Sequence, residues 1–213
     1  MIDPQDPPKS TGKDKSIGII VLAAGASRRM NESKQLLSFR GKTLLRRAAQ
    51  TAVASIYKPV VVVLGANFER AAAEIEDLPL EIVFNENWED GLSSSIKAGI
   101  EKLLEIAPGA AALVITLADQ PLVTAQHLNL FAEKFAQSNF PIVAAAYYET
   151  LGVPALFSRE VFDDLCELSG DHGAKPVIEK HCQPQSTINL PEAAFDIDTP
   201  QDFAGLRGLN VPE

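Results

Sequence analysis

Cysteine is almost absent from this chain: Cys166 and Cys182 are the two present in 213 residues, and no C-x-x-C pair exists. That argues against a disulfide framework and against a paired-thiolate zinc or redox site. Long apolar runs are missing too, none approaching the roughly 20 residues that cross a bilayer. The opening Met1-Ile2-Asp3-Pro4-Gln5-Asp6-Pro7-Pro8 lacks the basic-then-apolar layout of a signal peptide, so a cytoplasmic protein is expected. Cations are scarce as well, 19 Lys and Arg against 28 Asp and Glu, for a net charge of −9. This balance opposes attraction to the phosphates of nucleic acid, so any phosphate site must be built locally.

What the chain does have is apolar residues, 46% of the total against 22% charged, and a length suited to one packed domain. Residues 1–15, with prolines, charges and no apolar period, are expected to form a disordered leader, and 16–213 a single domain. Short continuous apolar runs alternate with segments of helical period. Strands are predicted over 17–23, 60–64, 81–84, 111–117 and 142–146, with weaker ones near 153–157 and 186–190. Helices are predicted near 44–55, 68–76, 93–105, 125–136, 159–168, 174–181 and 200–206. This β-α-β succession implies an α/β fold, a three-layer α/β/α sandwich with a mainly parallel, Rossmann-like sheet. Ligands of such sheets bind outside the carboxyl ends of the strands.

The segment Leu22-Ala23-Ala24-Gly25-Ala26-Ser27-Arg28-Arg29-Met30 follows the first strand, with Lys34 four residues on. Small side chains let backbone N–H groups approach phosphate oxygens, and Arg29 and Lys34 can add full positive charge. Two better-known phosphate motifs fail here. A dinucleotide fingerprint needs G-x-G-x-x-G, and only Gly25 is present; a P-loop ending in Gly41-Lys42-Thr43 would need its first glycine at Leu36. On physical grounds alone, a small-residue turn after a strand is as often just a tight connection.

Asp119 stands at the carboxyl end of the strand predicted over 111–117, ahead of Gln120-Pro121, where a carboxylate can hold Mg2+ against phosphate oxygens. Capping the next helix is the alternative, but Thr124 is the better cap. Asp198, in Asp196-Ile197-Asp198-Thr199-Pro200-Gln201-Asp202, is a candidate second ligand, with Asp196 competing for the role. Three serines, Ser93-Ser94-Ser95, exceed what capping requires; Ser93 is expected as the cap. Trp88 lies in a ligand-side loop, either a packing anchor or a lid residue. His127 and His181 receive no role, and His172 is read as an exposed loop residue.

Taken together, L-A-A-G-x-S-x-R-M with its following lysine resembles the nucleotidyltransferases that mature molybdenum cofactor, and most nearly their cytidylyltransferase branch, from about Ile17 to Leu206. The resemblance implies a magnesium-dependent nucleotidyltransferase fold in which Leu22, Ala23, Ala24, Gly25, Ser27, Arg29, Lys34, Gly91 and Ser95 bind nucleotide. It also implies that Arg29, Lys34 and Asp119 are catalytic and that Asp119 and Asp198 hold the metal. Acceptor-side segments of that branch are matched less tightly, through Gly152, Pro154, Asp171 and Gly173, with Val153 and Lys175 where the family commonly has His and Arg. The family's usual Gly after Met is Asn31 here, a residue that tolerates a left-handed backbone. Ala24, where the guanylyl branch tends to carry glycine, favours cytosine. The implied reaction is CMP transfer from CTP to molybdopterin, with a molybdenum hydroxylase as eventual recipient. Guanylyl transfer, a sugar-phosphate acceptor and a non-catalytic cofactor carrier are the alternatives. A nicotinamide oxidoreductase is poorer, lacking the glycine fingerprint.

Overall fold

The computed structural model describes residues 16–27, 30, 33–138 and 140–208. The expected leader, Arg28, Arg29 and Asn31 lie outside them. Three strands match the sequence limits residue for residue, β1 (Ile17–Ala23), β4 (Val60–Leu64) and β5 (Glu81–Phe84). Between β1 and β4 lies an unexpected two-stranded hairpin of β2 (Ser38–Phe39) and β3 (Lys42–Thr43). It turns through Arg40 and Gly41, both at positive φ, and its strands are too short to show a period. The remaining strands are β6 (Ala112–Leu117), β7 (Ile142–Tyr147), β8 (Thr150–Ser158) and β9 (Thr187–Asn189).

The main sheet has seven strands in the order β5-β4-β1-β6-β8-β7-β9. Pairing is parallel except where β8 runs antiparallel to both β6 and β7, so the sheet is mixed. A two-residue turn between β7 and β8 is enough for an antiparallel return, whereas a parallel one would require a long crossover.

Side chains alternate along each strand and build one core on each face. From β1, Ile19, Val21 and Ala23 face the core covered by α1 (Leu44–Ala54), α2 (Phe68–Ala73) and α4 (Ala125–Ala136). Ile20 and Leu22 face the other, under α3 (Leu92–Ile106), α5 (Phe162–Glu167) and α6 (Lys175–His181). A third, smaller cluster joins Phe39 and Leu44 to Ile197 and to Leu206 of α7 (Pro200–Arg207). The crossover from β1 to β4 leaves on one side of β1, and the chain returns through α3 to β6 on the other. The carboxyl ends of β1 and β6 therefore flank a topological switch point, where a crevice opens. Among the described residues no helix is long and apolar enough to cross a membrane.

Thr124 and Thr199 cap α4 and α7 as expected, each accepting from the backbone N–H three residues on. His127 has a structural part that its sequence context did not suggest: its Nδ1 accepts from the Thr124 N–H (3.4 Å), completing that cap. His181 pairs with Asp164 on the molecular surface.

Candidate active site

A cavity of about 440 Å3 fills the crevice at the ends of β1 and β6. Leu22, Ala23, Ala24 and Gly25 form one wall, Gly91 and Ser95 a second, and Lys34, Asp119 and Asp171 the charged rim. Gly25 is exposed, its φ is ordinary, and a Cβ there would meet no protein atom within 4 Å. The fold does not require glycine at this position, so the open space is available to a ligand. Gly91 is different. Its φ is +101°, and a Cβ would lie 2.4 Å from the Gly170 backbone, so chain geometry demands glycine there.

The loop after β1 is held by a residue that the sequence reading passed over. Gln35 is 4% exposed, and its amide donates to the carbonyls of Ala23 (3.1 Å) and Gly25 (2.5 Å). Its oxygen accepts from Ser27 (3.1 Å) and Ser33 (2.6 Å). Ser27, at φ 55°, also accepts from the Lys34 N–H (2.9 Å), so its side chain is committed to the loop. With those carbonyls tied down, the amides of Gly25, Ala26 and Ser27 donate to no partner among the described residues. A run of free N–H groups beside a lysine makes a concavity for anionic oxygens. Gln35→Leu keeps the volume and strands the buried Ala23 carbonyl, a cost of about 1–3 kcal/mol. The variant is expected to melt earlier and to show a raised KM for nucleotide, checked by thermal unfolding and a nucleotide titration.

The ionic centre lies across the cavity. Lys34 Nζ sits 2.5 Å from Asp119 Oδ2 and 2.8 Å from Asp198 Oδ1, joining positions 85 and 164 residues away in the chain. Asp198 is brought there by an Ile197 N–H that donates to the Asp119 carbonyl (3.0 Å). Burial alone would lower the Lys34 pKa, but the charge and hydrogen bonds of the two aspartates outweigh it and hold the ammonium above its ordinary value. Asp196 stands behind them. Burial first, then the charge of Asp119, pushes it up to about 6, against a Gln120 hydrogen bond that favours its ionised form. Asp119 Oδ1 is buried and has no hydrogen-bond partner among the described residues. An orphaned carboxylate oxygen beside a second carboxylate fits a divalent cation, which prefers hard oxygen donors. The described residues hold no group of three or more His, Cys, Asp or Glu arranged to bind a metal unaided, so phosphate and water would have to supply the remaining ligands.

The three serines have separate duties. Ser93 is not the cap: Gly91 is the N-cap of α3 and makes no side-chain bond. The Ser93 hydroxyl instead donates to the Gly170 carbonyl (2.8 Å), fastening α3 to the loop that carries Asp171. Ser94 closes onto the Gly91 carbonyl (2.8 Å), and Ser95, in the cavity wall, accepts from Asn85 (3.0 Å). Trp88 also lines the cavity and packs closely over Gly65, where a Cβ would meet its Cβ at 2.6 Å.

The four acceptor-side positions do not come together. Gly152 and Gly173 line a smaller neighbouring cavity of about 190 Å3, which shares Leu22, Leu92 and Leu117 with the larger one. Asp171 lines the larger cavity, and Pro154 is buried in β8 and lines neither.

Residues 19–185, well over half of the chain, match the MobA-like NTP transferase domain family. The purine catabolism protein PucB of Bacillus subtilis is 30% identical over 207 residues, covering 88% of this chain and 94% of that protein. The nicotine blue oxidoreductase of Paenarthrobacter nicotinovorans is 32% identical over 146 residues, covering 66% of each. Among solved structures, Rv0371c of Mycobacterium tuberculosis superposes with a TM-score of 0.80 at 27% identity, over 92% of this chain and 98% of that one. A structure of the same protein in complex with manganese gives 0.74 at 26% identity, over 90% and 97%.

Proposed function

The chain belongs to the MobA-like NTP transferase family, a family of nucleotidyltransferases, and from that premise we propose that it transfers CMP from CTP to the terminal phosphate of molybdopterin. The observation that carries the reading is the pairing of loop amides that have no partner among the described residues with a lysine-bridged carboxylate pair across one cavity. In the proposed reaction an acceptor phosphate oxygen forms the bond to Pα, the Pα–O–Pβ bond breaks, and pyrophosphate leaves. The amides of Gly25, Ala26 and Ser27, with Lys34 and Arg29, hold the β- and γ-phosphates. Ser95 and Gly91 lie against the nucleoside, and Ala24 narrows the space at the base. Asp119 and Asp198 would hold a magnesium ion, which when bound neutralises phosphate charge; the manganese complex of Rv0371c supports a divalent ion in this fold. Positioning and fixed charge supply the rate enhancement, with no covalent enzyme intermediate.

The test is pyrophosphate release from each of the four NTPs, with magnesium, against molybdopterin and against a sugar 1-phosphate. Turnover is expected with CTP and molybdopterin. Turnover confined to GTP would move the chain to guanylyl transfer, and turnover confined to the sugar phosphate would move it to another branch. Binding of molybdopterin without pyrophosphate release would make it a carrier. A melting temperature raised by NADH but not by CTP with magnesium would favour oxidoreduction instead.

A further inference from the structure

The smaller cavity is apolar over most of its wall, with Leu22, Ile115 and Leu117 behind it, and Tyr147 contributes one edge. Tyr147 ends β7 opposite Thr150, while Gly152 pairs with Ala145, so the tyrosine lies diagonally across the ladder from the glycine. Its ring packs against the core on the α1 and α4 face, and its edge reaches the smaller cavity. That hydroxyl occupies the room that Gly152 leaves: a Cβ at 152 would come within 2.2 Å of the Tyr147 Oη. Among the described residues the hydroxyl has no hydrogen-bond partner, and because the residue is only half-buried it is open to a ligand at the cavity edge. Lys175 stands on the same rim, its Nζ 3.3 Å from the Thr150 Oγ1. Burial, then the charge of Asp196, raises the phenol's pKa.

We propose that Tyr147 is an acceptor-binding residue: its hydroxyl donates to a phosphate oxygen of the acceptor, whose apolar body fills the cavity behind. This inference rests on the nucleotidyl-transfer reading and adds a residue to the acceptor-side positions Gly152, Pro154, Asp171 and Gly173. It also explains Gly152 as the residue that makes space for the hydroxyl rather than as a contact in its own right. The acceptor class that follows is a phosphorylated molecule with a largely apolar or flat body, its phosphate at the boundary between the two cavities.

Tyr147→Phe, assayed with CTP, magnesium and molybdopterin, is expected to raise the KM for molybdopterin about tenfold or more, since a hydrogen bond to a charged group is lost. Its kcat and its CTP affinity, followed by Trp88 fluorescence, should stay within about twofold. Gly152→Ala should reproduce the acceptor defect by displacing the hydroxyl. The double variant should be no worse than Tyr147→Phe, because the atom with which the new Cβ collides is gone and the next lies 3.1 Å away. A purely packing tyrosine would tolerate phenylalanine without a kinetic change, so an unaltered KM in Tyr147→Phe overturns this inference while leaving the function intact. Wild-type protein that turned over no NTP with molybdopterin would overturn both.

Discussion

Asp119→Asn is expected to cut pyrophosphate release by roughly a hundred- to a thousandfold, the range seen when one fixed source of transition-state stabilisation is lost, because a metal ion opposing the phosphate charge would lose a ligand. The side chain is 15% exposed and its two oxygens have different fates, one on the Lys34 ammonium at 2.5 Å and the other buried without a partner. Asparagine keeps the shape and loses the charge. Its amide either turns NH2 towards Lys34, which repels it, or towards the orphan position, where it would meet a cation with a donor. Either orientation lowers metal affinity, so added manganese should rescue the variant only at concentrations well above those saturating the wild type. Folding should survive. Asp119 is the second cause, after burial, of the raised Asp196 pKa, and its loss relieves crowding among three carboxylates. A melting curve close to wild type, together with the collapse of turnover, would place the effect in the site. Near-normal turnover would remove Asp119 from the mechanism.

The fold was legible wherever a strand is buried on both faces. Ile17–Ala23 and Val60–Leu64 are continuous apolar runs bounded by polar or turn residues, so local composition alone delimits them. The direction of β8 was not legible. It contains Gly152 and Pro154, which weaken a strand signal, and its antiparallel setting depends on the turn at Tyr148-Glu149, where a non-glycine residue adopts φ 51°. The hairpin at 38–43 and the start of α3 at Leu92 were missed or displaced for related reasons: two residues carry no period, and Gly91 caps through backbone geometry rather than a side chain.

The site divides in the same way. The loop from Leu22 to Lys34 is one local segment, and its small residues and cations can be read as a unit. The role of Gln35 could have been suspected from a polar residue in the middle of Lys34-Gln35-Leu36-Leu37, but nothing local says which carbonyls it reaches. That Asp171 faces the nucleotide cavity and Gly173 the smaller one depends on the Ser93 bond to Gly170, a contact spanning 77 residues. The union of Lys34 with Asp119 and Asp198 is likewise a product of tertiary folding.

That union leads to the second large effect. Lys34→Met, which keeps the side-chain length and apolar stem, is expected to lower turnover by roughly a hundred- to a thousandfold, since a phosphate-holding charge is lost. The same variant, free of nucleotide, should bind Mn2+ more tightly than the wild type, by about tenfold, which corresponds to ~1.4 kcal/mol. In the wild type the ammonium stands 2.5 and 2.8 Å from the two carboxylates, so a divalent ion at that pair must displace it or share the site against its repulsion. Nucleotide phosphates give the lysine another partner, so CTP should strengthen Mn2+ binding to the wild type partly by drawing Lys34 away; that share of the effect should vanish in the variant.

Stability should respond to pH with a definite sign. Burial and the charge of Asp119 hold the Asp196 pKa up and Lys34 pulls against that rise, so removing the ammonium moves the folded-state value further above the unfolded one. A carboxylate raised in this way leaves stability intact below its unfolded pKa and withdraws it as pH rises through the folded value, which for Asp196 is already about 6. Lys34→Met should therefore melt close to wild type at acid pH and fall behind above neutrality, with Mn2+ restoring the difference. Calorimetric Mn2+ titration and melting curves across pH measure both effects without turnover. Unchanged Mn2+ affinity would mean that lysine and metal occupy separate places, and the two aspartates would then have to be assigned to the ammonium alone.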